Sequence, residues 1–268
     1  MIGPLLLAAA AFEALALPAA VEIRRIPAEE ARQGVAADTR FVYAISNSVI
    51  GKYDRRTGRR VARWRDDSNL FVHINSCTLA GSDLVCAASN YPQVPMASSV
   101  EWFDTARMDH VGSRSLGPGR GSLTWLEWHD GSWWACFANY DGRGGEAGRN
   151  HEWTTLVRYD RNFAEQGAWL FPQGVLERFA PYSASGGAWK GRHLYVTGHD
   201  RKEVYVLELP RAGSRLIHLA TFAFPSPGQA IQWDRSSGTL WSIDRGRREL
   251  VESRAPELQA RSDAGVRR

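Results

Sequence analysis

The chain has 268 residues, 44% of them hydrophobic, so it can bury a full core as one large all-β domain or as two ordinary domains. Its formal charge is +4, with 33 Lys and Arg against 29 Asp and Glu. The charges are scattered rather than clustered, which argues against a nucleic-acid partner, and no apolar run beyond the first twenty residues is long enough to span a membrane.

The first element is an apolar segment, MIGPLLLAAAAFEALALPAA, which we interpret as a signal peptide over residues 1–20. Glu13 and Pro18 break it too early for a membrane span, and Ala14-Leu15-Ala16 or Ala19 offers a cleavage site. It lacks the usual positive charge at its start, so a disordered or mis-started N-terminus is the alternative. A cleaved signal predicts a periplasmic or secreted protein without a transmembrane anchor.

A β-hairpin is the unit that repeats along the rest of the chain. Residues His73 to Pro92 read as strand, turn and strand, and aligning similar hairpins places Leu79 beside Trp128, Trp189 and Trp233. Residues 37–47 form a fifth, more distant copy. We expect the three tryptophans to pack between neighbouring repeats, with stacking on carbohydrate as the alternative.

Each hairpin is followed by a third strand and a looser fourth strand, which is typical of a β-propeller blade. The last unit stops after its third strand, and the N-terminal segment VEIRRIP has no unit of its own. We expect that segment to complete the last blade and close the ring. The sequence therefore predicts an all-β fold, a single five-bladed β-propeller over residues 21–256, followed by a disordered basic tail over residues 257–268.

Two of the three cysteines lie in the second hairpin. Cys77 and Cys86 fall opposite each other if the turn is centred between Gly81 and Ser82. Cross-strand neighbours lie close enough for a disulfide, and an exported protein meets an oxidising compartment. We predict a Cys77–Cys86 disulfide, with Cys136 buried and free.

Polar residues recur at two positions of the repeat. In four units, a polar residue of the first strand lies fifteen positions before the polar residue that ends the second strand, as Asn75 does before Asn90. Both positions fall at the same end of a propeller channel. They either bond the backbone and tie blades together or form a ring that binds a ligand. The two sets are Arg32, Asn75, Thr124, Ser185 and Gln229, and Asn47, Asn90, Asn139, Asp200 and Gly246.

The longest connections follow Asn90 and Asn139, and long loops on a rigid scaffold often carry binding residues, although a loop without a special purpose is the alternative.

The predicted proton-transfer residues are His73, His199 and Asp200, each with a structural role as the alternative. A calcium-like divalent cation is a candidate cofactor, held by Asp200, Asn139 and Asn90. The predicted ligand-binding residues are Asn75, Asn90, Tyr91, Asn139, Tyr140, Asp141, His151, Ser185 and Gln229.

Several segments resemble a group of exported bacterial propellers of unknown function, some of which are labelled cycloisomerase. These segments are LVCAASNYP, SSVEWFD, VRYDRNF, HINSC and APYSASGG. The third-strand pattern YDRRTG is also similar to secreted lactonase-type propellers related to gluconolactonase. Those lactonases have six or seven blades, and the gluconolactonase type uses an acidic metal site, whereas this chain shows five blades and only Asp200 in the comparable ring.

The leading functional hypothesis is an exported monomeric propeller that binds a small polar ligand, a sugar or a lactone, over the channel. Such a protein could be a hydrolase or an isomerase, and the sequence leaves open whether it is an enzyme. The alternative is a non-catalytic protein-interaction or envelope-binding module, which would need only exposed aromatic residues such as Tyr91, Tyr140 and Trp153.

Overall fold

The structure is a computed structural model that describes residues 18–258. Most of the predicted signal peptide (residues 1–17) and most of the predicted tail (residues 259–268) lie outside the described residues. Residues 18–20 lie along the fourth blade, because the backbone N–H of Ala20 donates to the carbonyl of Ala223 at 2.9 Å and the N–H of Ala223 donates to the carbonyl of Pro18 at 2.8 Å.

Five four-stranded antiparallel sheets form a ring, so the predicted all-β, five-bladed propeller is confirmed. Strand β1, Val21–Pro27, comes first in the chain but belongs to the last blade. Blade 1 contains β2 (Gly34–Ala37), β3 (Phe41–Ser46), β4 (Val49–Asp54) and β5 (Arg60–Arg65). Blade 2 contains β6 (His73–Ala80), β7 (Asp83–Ser89), β8 (Ala97–Asp104) and β9 (Asp109–Pro118).

The remaining blades follow the same order. Blade 3 contains β10 (Ser122–His129), β11 (Ser132–Ala138), β12 (Thr155–Tyr159) and β13 (Glu165–Leu170). Blade 4 contains β14 (Gly186–Lys190), β15 (His193–Thr197), β16 (Glu203–Glu208) and β17 (Ile217–Ala223). Blade 5 contains β18 (Ile231–Trp233), β19 (Leu240–Asp244), β20 (Glu249–Arg254) and then β1. A short helix α1, Gln173–Phe179, and a 3₁₀ turn, His151–Trp153, lie in connections.

The first strand of each blade lines the centre of the ring. These inner strands contact one another in the order β2, β6, β10, β14, β18 and again β2. The middle strands are buried on both faces between neighbouring blades, and β19 is buried along its whole length. Most residues of the outermost strand β5 are exposed, which explains its charged sequence RVARWR.

Ring closure takes the predicted form. Strand β1 pairs antiparallel with β20, from Val21 opposite Arg254 to Pro27 opposite Glu249. Ile26 is buried in the same hydrophobic cluster as Leu250. The pairing gives both strands a partner and leaves blade 5 with the same four-stranded sheet as the others.

Aromatic side chains pack between blades at the aligned tryptophans. Trp189 of blade 4 packs on Trp134 of blade 3, with ring centroids 4.9 Å apart, and Trp233 of blade 5 packs on Tyr195 of blade 4 at 5.0 Å. The predicted inter-blade packing is therefore confirmed for Trp189 and Trp233. Trp128 packs against the hydrophobic cluster shared by blades 2 and 3, and its ring lies 5.2 Å from that of Trp133 in its own blade.

The predicted disulfide is also confirmed. Cys77 of β6 and Cys86 of β7 are cross-strand partners and are covalently joined. Both lie in a buried cluster with residues of blade 1, including Tyr43 and Ile45. Cys136 is buried and free, as expected.

Removing residues 1–27 should make the chain aggregate or unfold, because the edges of β20 and the rest of blade 5 lose their closing strand. Size-exclusion chromatography and thermal denaturation would measure this. A chain that lacks only residues 1–17 keeps β1 and is the control. A monomeric truncated protein with an unchanged melting temperature would contradict the role of β1.

Reducing the disulfide should lower the free energy of unfolding by about 2 kcal/mol, because the closed loop is short and restricts the unfolded chain only modestly. Urea denaturation with and without a phosphine reductant measures the difference. The free energy of unfolding of the double variant Cys77→Ala/Cys86→Ala should not change when the reductant is added. Equal stability of the wild type under both conditions would show that the bond does not stabilise the fold.

Candidate functional site

The second strand of each blade ends at one end of the channel, which we call the upper face. As predicted, the longest connections from second to third strand are residues 90–96 and 139–154, on neighbouring blades. The connection between blades 3 and 4, residues 171–185, reaches the same face and contains α1. The sequence analysis did not identify this helix, although Val175, Leu176 and Phe179 have the apolar spacing of one helical face after Pro172.

The polar residues of the inner strands tie the blades together. Asn75 Nδ2 donates to the carbonyl of Leu123 in the next blade at 2.7 Å, and Thr124 Oγ1 donates to the carbonyl of Ala184 at 2.8 Å. Ser185 Oγ lies 3.4 Å from the carbonyl of Ser183, and the Gln229 side chain is buried. Of the two alternatives left open by the sequence, these contacts favour a structural role for Asn75 and Thr124, whereas Gln229 Nε2 is buried without a hydrogen-bond partner among the described residues.

Asn90 and Asn139 hold the two long connections. Asn90 Nδ2 donates to the carbonyl of Pro95 at 3.1 Å, and its Oδ1 accepts the N–H of Ala97 at 2.8 Å. Asn139 Nδ2 donates to the carbonyls of Arg120 and Trp153, at 3.1 and 3.2 Å. Both side chains therefore fix the ends of their loops.

The same contacts bear on the predicted cation. Of the three candidate ligands, Asn90 already uses its amide oxygen, which leaves the Asn139 oxygen and the Asp200 carboxylate. Calcium takes roughly six to eight oxygen ligands, so this donor set does not fit a tight site. Between residues 18 and 258, no group of three or more His, Cys, Asp or Glu side chains is arranged to hold a metal ion.

The connection 139–154 is braced against its neighbours. Glu146 Oε1 accepts the N–H of Met96 at 2.6 Å, which links the two long connections. Gly144 has φ +80° and packs so closely on the Tyr91 ring that a Cβ atom would collide with it. Glu152 Oε1 accepts a hydrogen bond from Gln173 of α1 at 3.0 Å. The loop borders an open depression of about 550 Å³ lined by residues between Tyr140 and Trp153.

His73 lies at one end of a row of aromatic side chains. Its Nδ1 lies 2.9 Å from Asn47 Oδ1, and its ring packs on Tyr91, which in turn packs on Tyr140 at 5.2 Å. Burial lowers the pKa of His73 to about 4, and a hydrogen bond with Asn75 acts in the opposite direction. His73 is therefore neutral at physiological pH.

A histidine–aspartate pair stands at the base of the long loop. His151 Nδ1 lies 2.7 and 2.9 Å from the two carboxylate oxygens of Asp141, and the His151 N–H donates to Oδ1 at 2.9 Å. Partial burial raises the pKa of Asp141, but the backbone and side-chain hydrogen bonds from His151 outweigh it, so the pKa is lowered overall.

A second histidine–aspartate pair lies on blade 4. His199 Nδ1 is 2.6 Å from Asp200 Oδ1, and the imidazole stacks on Tyr182 with centroids 4.0 Å apart. Arg245 of blade 5 places Nη1 2.7 Å from His199 Nε2. Neither Tyr182 nor Arg245 was predicted from the sequence: Tyr182 lies in an irregular connection, and Arg245, which aligns with His199 in the repeat, precedes a glycine rather than a polar residue.

Two consecutive residues bring the pairs together. The carbonyl of Pro181 accepts the N–H of Asp141 at 3.3 Å, and the next residue, Tyr182, carries the ring that stacks on His199. The two pairs therefore flank one short segment of the upper face. Tyr182 is 38% exposed and is open to a ligand.

A buried carboxyl group lies toward the opposite, lower end of the channel. Glu127 Oε2 accepts the backbone N–H of Trp189 at 2.6 Å, and Oε1 lies 3.7 Å from Arg235. Burial raises the pKa of Glu127 to about 7, and the Trp189 hydrogen bond and the Arg235 charge offset this effect only in part.

Comparisons with known proteins identify the fold. No protein-family model and no curated protein matches the chain. The chain is similar to the solved structure of Myxococcus xanthus glutaminyl cyclase, with a TM-score of 0.58 and 13% identity over 89% of this chain and 97% of that chain. It also resembles a chain of Kuenenia stuttgartiensis hydrazine synthase, with a TM-score of 0.48 and 12% identity over 82% of this chain and 69% of that chain. At these identities the likeness shows a β-propeller and nothing finer, and the resemblance to cycloisomerase-labelled and lactonase-type propellers stays a prediction.

Replacing Glu127 by Gln should stabilise the protein more at pH 8 than at pH 5. The folded-state pKa is about 7 and the ordinary value is 4.5, so the wild type loses stability as pH rises from about 4.5 through about 7. The full loss is roughly 3 kcal/mol, and Gln can still accept the Trp189 hydrogen bond without ionising.

Urea denaturation of both proteins at the two pH values tests this expectation. Glu177→Gln, at an exposed position, controls for exchanging a carboxylate for an amide. A stability difference between Glu127→Gln and the wild type that stays constant with pH would contradict the expected titration.

Proposed function

We propose that the upper face binds a small polar ligand, a sugar or a lactone, and acts on it by general acid–base catalysis as a hydrolase or isomerase. The observation that carries this proposal is the pair of histidine–aspartate contacts on either side of Pro181 and Tyr182. Enclosed polar groups that converge at the mouth of a rigid scaffold are the usual setting of a ligand site.

His151 is the better placed base in this proposal. Asp141 takes the hydrogen on Nδ1, which leaves the lone pair on Nε2 to accept a proton from water or from a ligand hydroxyl. The Asp141 carboxylate then stabilises the imidazolium that forms. When the imidazolium returns its proton to the leaving oxygen, the neutral imidazole is restored beside the Asp141 carboxylate.

The aromatic residues form the walls of the proposed site. The exposed part of Tyr182 offers a flat surface to a ring-shaped ligand, and Tyr91 and Tyr140 pack on each other under the neighbouring connections. His73 is neutral and buried, so in this proposal it supports Tyr91 rather than transferring protons.

Export to the periplasm or the medium is part of the proposal. The Cys77–Cys86 disulfide supports it, because such bonds persist in oxidising compartments. Among the residues that the structure describes, no helix has the length and apolar character to cross a membrane.

A non-catalytic interaction module is the second candidate. It is favoured by exposed apolar side chains on the same face, including Leu70, which is 77% exposed, and Trp153, which is 55% exposed. Loss of partner binding on replacing these two residues, with no effect of replacing either histidine, would identify this alternative.

His151→Gln should reduce turnover of a responsive substrate by roughly 10²-fold or more, because the variant loses a proton acceptor held by a carboxylate. The assay measures hydrolysis of a panel of sugar lactones and sugar esters through the protons that the reaction releases. His193→Gln, at the lower end of β15, is the matched control and should keep full activity. If His151→Gln hydrolyses the panel as fast as the wild type, the proposed base is wrong.

A further inference from the structure

Arg245 fixes the hydrogen positions on His199. A guanidinium group only donates hydrogen bonds, so the contact of 2.7 Å requires a lone pair on His199 Nε2. The ring hydrogen is then on Nδ1 and is donated to Asp200 Oδ1 at 2.6 Å. Arg245, His199 and Asp200 therefore form a chain of hydrogen bonds with one neutral tautomer of the imidazole.

This contact occupies the atom through which His199 would take a proton. Arg245 lies in the turn between β19 and β20 of blade 5, whereas His199 follows β15 of blade 4, so the contact joins two blades. Arg245 is exposed. Within residues 18–258, no carboxylate lies at salt-bridge distance from it, whereas its neighbour Arg247 pairs with Asp244.

We propose that the ligand of this site carries a carboxylate, which pairs with Arg245 and thereby frees Nε2 of His199. The proposal rests on the proposed function and narrows its ligand to hydroxycarboxylic acids of the sugar-acid type, and to lactones or esters that keep a free carboxylate beside the reacting group. A carboxylate can accept two parallel N–H bonds from a guanidinium group, and this charge-assisted pair is stronger than one hydrogen bond to a neutral imidazole.

The groups around His199 determine how the imidazole responds when a carboxylate replaces it as the partner of Arg245. Burial lowers the pKa of His199, Asp200 raises it, and the positive charge of Arg245 lowers it again. A bound carboxylate neutralises that charge and removes the donor from Nε2, which leaves the Nε2 lone pair free to accept a hydrogen bond. Arg201, the other arginine close to His199 in sequence, uses its Nε to donate a hydrogen bond to the carbonyl of Arg178.

The imidazole stays in place when Arg245 leaves it. The Tyr182 ring covers one face of His199, and the Nδ1 hydrogen bond to Asp200 does not involve Arg245. The carboxylate therefore exposes a base whose orientation is already fixed.

Nitrogen-15 NMR of the histidine rings tests the proposal, with two matched pairs of probes. Gluconate and lactate should shift the His199 Nε2 resonance and saturate, whereas gluconamide and lactamide should not. Arg245→Gln should weaken gluconate binding tenfold or more, and its ligand-free Nε2 resonance should resemble that of the gluconate-bound wild type. Arg247→Gln, two residues away and exposed, should bind gluconate like the wild type.

Amides that bind as tightly as the acids would overturn the proposal, as would unchanged gluconate binding by Arg245→Gln. A failure of this inference can be distinguished from a failure of the proposed function. Loss of lactone turnover in His151→Gln together with no carboxylate effect on His199 would leave the function standing and remove this inference. If gluconate binds through Arg245 but no lactone or ester of the panel is hydrolysed, this inference stands and the proposed function is wrong.

Discussion

The antiparallel pairing of β1 with β20 is the constraint on which the rest of the structure depends, because it turns five sheets in sequence into a closed ring. The pairing joins the beginning of the described chain to its end, and an ion pair between Arg24 and Glu252 at 2.7 Å reinforces it. In a closed ring, each blade is held by both neighbours. The contact between His199 on blade 4 and Arg245 on blade 5 is therefore held across two blades that cannot separate without opening the ring.

The ring also explains why polar residues of the inner strands lie outside the candidate site, whereas Asp200, at the repeated position after a second strand, belongs to it. Inner strands that start at the upper face present backbone carbonyls to the neighbouring blade, and buried carbonyls need donors. Asn75 and Thr124 provide them from the side chain. With their donors used in this way, these residues stabilise the scaffold, and the connections on the upper face supply the histidine–aspartate pairs.

The parts of the fold that were predictable from sequence depend on local chemistry. The aromatic-Asp pairs that end third strands mark tight turns, since Asp54 Oδ1 accepts the N–H of Thr57 at 2.8 Å and Asp104 Oδ1 accepts that of Arg107 at 2.7 Å. The facing cysteines are equally local, because turn position alone sets their register. Tyr182 and Arg245 meet His199 from other blade connections, and no spacing along the chain encodes those meetings. The residues of the two histidine–aspartate pairs were therefore identifiable from the sequence, whereas their contacts with Tyr182 and Arg245 were not.

The central claim is that both histidine–aspartate pairs serve one ligand position above Tyr182. A crystal structure of the protein with gluconolactam, a sugar lactone analogue that resists hydrolysis, tests it most directly. The sugar ring should lie on Tyr182 with His151 within hydrogen-bonding distance of it, while Arg245 stays on Nε2 of His199 because the lactam carries no carboxylate. A ligand bound elsewhere, for example in the arginine-lined cavity that includes Arg24 and Arg56, or no bound ligand at saturating concentration, would contradict the account.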